Sequence, residues 1–107
     1  MSALSLSTVN KYIKFRQDNK PLKVIELCHH AIRFTDTSNT TTEGKEAFYS
    51  YLCKPVPESK WEMPVVLDNG TIRVKGQVSK MWMWWDVSAY FVIDEEERIK
   101  SITLMRE

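Results

Sequence analysis

Apolar residues in the first part of the chain recur every three or four positions, which is the spacing of one face of a helix. A first helix is predicted, capped by Ser5 or Ser7, with an apolar face made of Leu6, Val9, Tyr12 and Ile13. Residues 18–21 interrupt this pattern. Pro21 suits a first helical position behind an Asn or Asp cap, so we expect a second helix that reaches Cys28.

A short strand and a third helix follow. Residues 31–36 alternate between apolar and polar side chains, which is typical of a strand, and the polar run 37–43 predicts a loop. Gly44 opens the third helix, and Pro55 and Pro57 prevent its continuation. The apolar stripe of this helix consists of Ala47, Phe48, Tyr51 and Leu52.

From Trp61 onward the apolar pattern has a period of two, which predicts an antiparallel meander. A strand over 61–67 turns at Asp68-Asn69-Gly70 into a strand over 72–78, in which Gly76 marks a bulge or a sharp bend. A charged turn over 94–97 precedes the last strand, whose apolar residues are Ile99, Ile102 and Leu104.

Residues 81–93 predict the strand with the clearest two-sided pattern. We expect its odd positions to face an apolar interior, namely Met81, Met83, Trp85, Val87, Ala89, Phe91 and Ile93. On the other face, Trp82, Trp84 and Tyr90 stand among polar residues. Monomeric proteins rarely expose such an aromatic patch, so these three residues predict the interface of a homodimer.

The whole pattern predicts one α+β domain over residues 1–107, with three N-terminal helices on a strongly curved, mostly antiparallel sheet. Lys and Arg number 15 against 14 Asp and Glu, a balance that disfavours a nucleic-acid partner. No stretch approaches the ~20 apolar residues that cross a bilayer, and the N-terminus does not resemble a signal peptide. We therefore expect a cytoplasmic protein with no membrane partner.

Metal and cofactor binding are not predicted. Cys28 and Cys53 lack a metal-binding spacing and are expected to be reduced and partly buried. We expect His29 and His30 to end the second helix, where they complement the negative end of its dipole.

The order of helices and strands, with three local segments, resembles the nuclear transport factor 2-like superfamily, which includes ketosteroid isomerases and SnoaL-like polyketide cyclases. The segments are 43–52 with its Gly-led helix, Asp36 after the first strand, and Tyr90-Phe91-Val92-Ile93-Asp94 followed by Arg98-Ile99. The resemblance implies that the sheet closes into a cone around a pocket. The fold hosts several enzymes and also inert dimerisation modules, so it does not fix the activity.

The resemblance to ketosteroid isomerases, which are among the standard examples of tuned carboxyl groups, implies roles for two residues. Tyr12 matches the oxyanion-binding helix tyrosine, and Asp36 matches the proton-shuttling base. Ala89 stands where the second oxyanion donor belongs, a loss that costs about 2.7–4 kcal/mol of transition-state stabilisation. Partial burial is expected to raise the pKa of Asp36.

Two interpretations of function remain. In the first, the cone binds a small apolar molecule through Trp85, Met83, Val87, Ala89, Phe91 and Phe34, with weak cofactor-free isomerase or cyclase chemistry by Asp36 and Tyr12. Tyr12 could equally be a packed helix residue, and Asp36 a turn-forming carboxylate. In the second interpretation, side chains fill the cone and the protein is a dimerisation or scaffold module.

Overall fold

The computed structural model describes residues 3–107, in which three helices pack on a curved sheet of seven strands. The helices are α1 (Ala3–Gln17), α2 (Pro21–Glu26) and α3 (Lys45–Leu52). The strands are β1 (Cys28–Thr35), β2 (Thr41–Glu43), β3 (Ser59–Trp61), β4 (Val65–Val66), β5 (Ile72–Lys80), β6 (Met83–Ile93) and β7 (Ile99–Arg106). The strand order is β2-β1-β7-β6-β5-β3, with β4 also paired to β5. Each pair is antiparallel except β1 with β7, which confirms the predicted α+β class with a mostly antiparallel sheet.

The ends of α1 differ from the prediction. Ser5 lies inside the helix and does not cap it, and its hydroxyl donates a hydrogen bond to the carboxylate of Glu97. At the other end, Asn19 adopts a φ of 55°, and the Lys20 amide donates to the Phe15 carbonyl at 2.9 Å. Asn19 therefore ends α1 rather than capping α2, since a left-handed Asn satisfies the last carbonyls of a helix.

The second helix is shorter than predicted. It stops at Glu26, and the next residue's carbonyl already accepts a hydrogen bond from Ile99 of β7 at 2.8 Å. The interpretation of His29 and His30 as helix-end residues is wrong, because both lie in β1, within an irregular stretch between the residues that pair with β7. Cys28 is buried as expected, whereas Cys53 is exposed, which corrects its predicted partial burial.

Gly44 and the turn before it shape the first part of the sheet. The predicted loop 37–43 contains the short strand β2, which pairs with the end of β1. Gly44 has a φ of 89° directly before α3, a backbone conformation that glycine adopts at little cost. The third helix thus begins and ends where the sequence predicts.

Gly76 is required by a close approach and not by a bulge. The register of β5 runs without a shift through the Gly76–Val87 pair. A Cβ on Gly76 would lie 2.4 Å from both the Lys60 carbonyl oxygen and the Trp61 ring. Of the two features expected at Gly76, the bulge is therefore wrong, and the missing side chain makes room for β3.

The strand predicted over 81–93 begins later, because Met81 and Trp82 form the turn between β5 and β6. Both have positive φ, 55° and 67°, between the paired residues Lys80 and Met83. These are the φ signs of a type I′ hairpin turn. Met81 and Met83 are 79% and 57% exposed, which corrects their expected inward position. The helices do not cover this end of the sheet, so its side chains have no core to pack against.

The core lies between the helices and the concave face of the sheet. Tyr12 of α1 meets Phe91 of β6 edge-on at 5.3 Å between ring centroids, and Phe34 of β1 stacks on Phe48 of α3 at 5.0 Å. Among residues 3–107 no helix is both long and apolar enough to cross a membrane.

Candidate functional site

A cavity of about 100 Å³ lies between α1, the segment that follows α3, and the concave face of the sheet. Helix α1 contributes Tyr12, Ile13 and Arg16 to its wall. The other lining residues are Phe34, Tyr51, Val56, Pro57, Ser59, Trp61, Val78, Ala89, Phe91 and Leu104. Most of these side chains are apolar, so the polar groups of the few remaining residues determine how a guest molecule could be oriented.

The positions of the polar lining residues follow from the helix period. Tyr12 and Arg16 are four residues apart and therefore share one face of α1. Near the end of α1, the Gln17 side-chain amide donates to the Ser59 carbonyl of β3 at 3.2 Å. This bond fixes the end of the helix against the strand that forms the opposite wall.

Tyr12, Arg16 and Tyr51 form one electrostatic group. The Arg16 guanidinium lies 5.7 Å from the centroid of the Tyr51 ring. Burial raises the pKa of the Tyr12 hydroxyl strongly, and the charge of Arg16 offsets only part of this rise. Burial also raises the pKa of Tyr51, again against the opposing charge of Arg16. Both phenols therefore keep their protons and can donate hydrogen bonds to an acceptor in the cavity.

Asp36 lies at the exit of β1, but its carboxylate already has partners. One carboxylate oxygen accepts hydrogen bonds from the Ser38 amide at 2.9 Å, the Ser38 hydroxyl at 2.6 Å and the Thr40 amide at 3.1 Å. Partial burial tends to raise the pKa of Asp36, but these hydrogen bonds bring it below its usual value. The expected rise in pKa is wrong, because the turn stabilises the charged form.

The structure brings together only some of the residues proposed for ligand binding. Phe34, Ala89 and Phe91 line the cavity beside Tyr12, whereas Met83 does not. Trp85 and Val87 line a separate depression, where the Arg106 guanidinium stacks 4.0 Å from the Trp85 ring. Trp85 is on the concave side as its odd position predicts, but too near the end of the sheet to reach the cavity.

Sequence reasoning missed Arg16, Tyr51 and Trp61 as lining residues. The spacing between Tyr12 and Arg16 was a usable indication, because residues four apart on a helix lie side by side. Nothing in the local sequence indicates that Trp61 lines the cavity, because its position depends on the pairing of β3 with β5 at Gly76.

The three residues predicted at a dimer interface occupy different surroundings. Trp82 is at the tip of the β5–β6 hairpin and is fully exposed. Trp84 is 40% exposed on the convex face, with the Lys60 ammonium 4.5 Å from its ring, and Tyr90 is half-buried on that face. Within residues 3–107, no three His, Cys, Asp or Glu side chains are grouped so that they could hold a metal ion.

Comparison with solved structures identifies the architecture. An NTF2-like protein of unknown function from Cytophaga hutchinsonii superposes with a TM-score of 0.83 at 11% identity, covering 96% of this chain and 89% of its own. The chain has the nuclear transport factor 2-like fold. A steroid delta-isomerase from Pseudomonas aeruginosa also gives a TM-score of 0.83 at 11% identity, with 100% and 82% of the two chains covered.

A third solved structure that matches the chain belongs to a larger protein. The orange carotenoid protein of Anabaena, in a structure binding canthaxanthin, gives a TM-score of 0.74 at 17% identity, over 94% of this chain but 35% of that one. No family model and no curated sequence matches the chain. At these identities the comparisons establish the shared fold, and the function must be argued from the cavity.

Proposed function

We propose that the protein binds a small, largely apolar molecule in the cavity beneath α1. The observation that carries this proposal is the cavity itself, about 100 Å³ in volume and walled by aromatic and aliphatic side chains around a few polar groups. A cavity of about 150 Å³ holds benzene in another protein, so the smaller cavity here suits a short alkyl chain, or one ring that extends partly into solvent. The steroid isomerase and carotenoid protein of the same fold support a ligand-binding interpretation by analogy.

Binding is favoured over a filled core by the residues that surround the space. Ala89 is buried on β6 and leaves room in front of Tyr12 and Leu104, where a larger side chain would close the cavity. Transfer of a guest's apolar surface from water contributes roughly 25 cal/mol for each Å² buried. A guest with one ring should therefore bind weakly but measurably.

Acid–base chemistry by Asp36 and Tyr12 remains a prediction, although only Tyr12 of the two lines the cavity. The hydrogen bonds that hold Asp36 ionised also make it a weaker base, which limits the reaction to easily enolised ketones. Loss of turnover in Asp36→Asn and in Tyr12→Phe would support this chemistry. Equal turnover in both variants and the wild type would exclude it.

The binding proposal is tested by titrating the protein with 3-phenylpropan-1-ol and 3-phenylpropanoate while recording methyl NMR signals of Ile13 and Leu104. We expect saturable shifts with at least one of these compounds. Ala89→Leu should weaken binding about tenfold or more by filling the space, whereas Ala47→Leu on the exposed side of α3 should leave it unchanged. Thermal melting of both variants checks that they are folded. The absence of saturable shifts with either compound would refute the proposal.

A second candidate function, homodimerisation through the convex face of the sheet, is favoured by its exposed apolar side chains. Trp84, Val92 and Met105 are 40%, 39% and 53% exposed there. The two functions are compatible, because the cavity opens on the other side of the sheet.

A further inference from the structure

We propose that the cavity selects small carboxylic acids, with the apolar body of the ligand inside and its carboxylate on Arg16 between the Tyr12 and Tyr51 hydroxyls. This inference rests on the proposed binding function and adds the chemical class of the ligand. It is carried by the arrangement of one cation and two phenol donors in an otherwise largely apolar wall.

Arg16 has no carboxylate partner among the residues that the structure describes. Among residues 3–107 the ion pairs join Arg33 to Glu43 and Arg98 to Glu96, and Arg16 takes part in neither. Its guanidinium instead lies over the Tyr51 ring, at 5.7 Å from the centroid. Arg16 also hydrogen-bonds the Tyr12 and Tyr51 hydroxyls. A guanidinium carries five N–H donors, so the half-buried Arg16 side chain retains hydrogen-bonding capacity for an anion, and its planar fork matches a carboxylate.

The nearby phenols supply donors and not competing charges. Their pKa values are raised by burial, so both hydroxyls are protonated at neutral pH. The charge of Asp36 also acts on Tyr51 and raises its pKa. One oxygen of the Asp36 carboxylate already accepts three hydrogen bonds from its own turn. Lys54 lies over the same ring, 5.6 Å from its centroid, and adds positive potential beside Arg16.

The depth of these groups sets the orientation of the ligand. Tyr12 is buried, whereas Arg16 and Tyr51 are half-buried, so the cation is on the side of the cavity that opens to solvent. Phe91, Ala89 and Leu104 form the inner wall from β6 and β7. A ligand with one ring can therefore bury its apolar end against the sheet while its carboxylate stays near water, which avoids the cost of burying an unpaired charge.

The test compares the dissociation constants of 3-phenylpropanoate and 3-phenylpropan-1-ol, which differ only at the head group. For the wild type we expect the acid to bind at least about tenfold more tightly at neutral pH, the range that charge-assisted hydrogen bonds give. Arg16→Gln should abolish this preference and leave the affinity for the alcohol within about twofold. Arg16→Lys should retain part of it, and Tyr12→Phe should reduce it.

Lys14→Gln is the matched control, because it removes one positive charge from an exposed position of α1 outside the cavity. This variant should keep the preference for the acid. Equal affinity of the wild type for both compounds would overturn the inference and leave the binding function intact. A preference that survives in a folded Arg16→Gln, or disappears in Lys14→Gln, would also overturn it. Binding of neither compound would refute the binding function itself.

Discussion

Gly76 is the residue at which the space available is most tightly defined. Any side chain there would meet the Lys60 carbonyl and the Trp61 ring, both 2.4 Å from the position of a Cβ. We expect Gly76→Ala to lower the free energy of unfolding by about 1–3 kcal/mol, as overpacking does, and to weaken ligand binding by displacing Trp61 from the cavity wall. Urea unfolding measures the first effect and ligand titration the second.

Ser79→Ala, three residues along the same strand, is the control for Gly76→Ala and should change stability little. If Gly76→Ala proved as stable as the wild type, β3 would not pack on β5 as closely as described. The sequence indicated that Gly76 was special, but a strand glycine is compatible with a bulge or with a close approach. The partner that decides between them is 15 residues away along the chain.

Individual site residues were predictable where a local pattern was sufficient. Helical and strand periodicity predicted an inward position for Tyr12, Ala89 and Phe91, and all three line the cavity. The direction of the pKa shift of Asp36 was not predictable, because it depends on which backbone amides of the turn point toward the carboxylate. The alternation of β6 predicted that Trp85 lies on the concave face of the sheet. Its distance from the cavity was not predictable, because it depends on how far the helices extend over the sheet.

The β5–β6 hairpin has a turn of unusual composition, and the two side chains at its tip are mostly or fully exposed. Met81 and Trp82 both have positive φ, for which Asn and Gly are the preferred residues. Replacing both by Asn-Gly should raise the free energy of unfolding by about 1–2 kcal/mol, since left-handed strain is relieved and the fully exposed Trp82 loses no packing. Urea unfolding provides the measurement.

The matched control for the hairpin replaces the same residues by Ala-Ala, which removes the large side chains but keeps the unfavourable backbone. It should not stabilise the protein. If Asn-Gly lowered stability, the tip would make stabilising contacts, and if both replacements stabilised equally, backbone strain would not be the cause.

Elements were predicted in type and order more accurately than in length. The ends of the third helix could be predicted from Gly44 and the prolines. The end of the second helix could not, because pairing of Cys28 with Ile99 overrides the local helical pattern. The strand over 61–67 was predicted as one piece, but β3 and β4 are separate short strands. Pro64 lies between them and has no amide to donate.

At the scale of the whole molecule, the convex face of the sheet predicts a homodimer. Trp84, Val92 and Met105 leave apolar surface there that a partner molecule would cover. Sedimentation velocity at tens of micromolar should show a dimer that Trp84→Ala weakens. Leu22→Ala, which removes a side chain 65% exposed on α2, should leave the association unchanged. A wild type that sediments as a monomer would contradict the prediction.

The overall architecture was predictable because each part of the sequence agrees with it: helical spacing first, then alternation, with turn residues between. The size of the cavity was not, since it depends on the closing of the sheet against α1 and on the small side chain of Ala89. A cone with the same strand order could hold a ligand or be filled by larger residues at two or three positions.

Binding of a small ligand in the cavity beneath α1 can be observed through intermolecular nuclear Overhauser effects between 3-phenylpropanoate and the protein. The ring protons should show contacts with Leu104 and Ile13 methyl groups and with the Phe91 ring, and Ala89→Leu should abolish them. Contacts confined to the hairpin around Trp82, to the depression beside Trp85, or to the convex face would show that the ligand does not bind in this cavity.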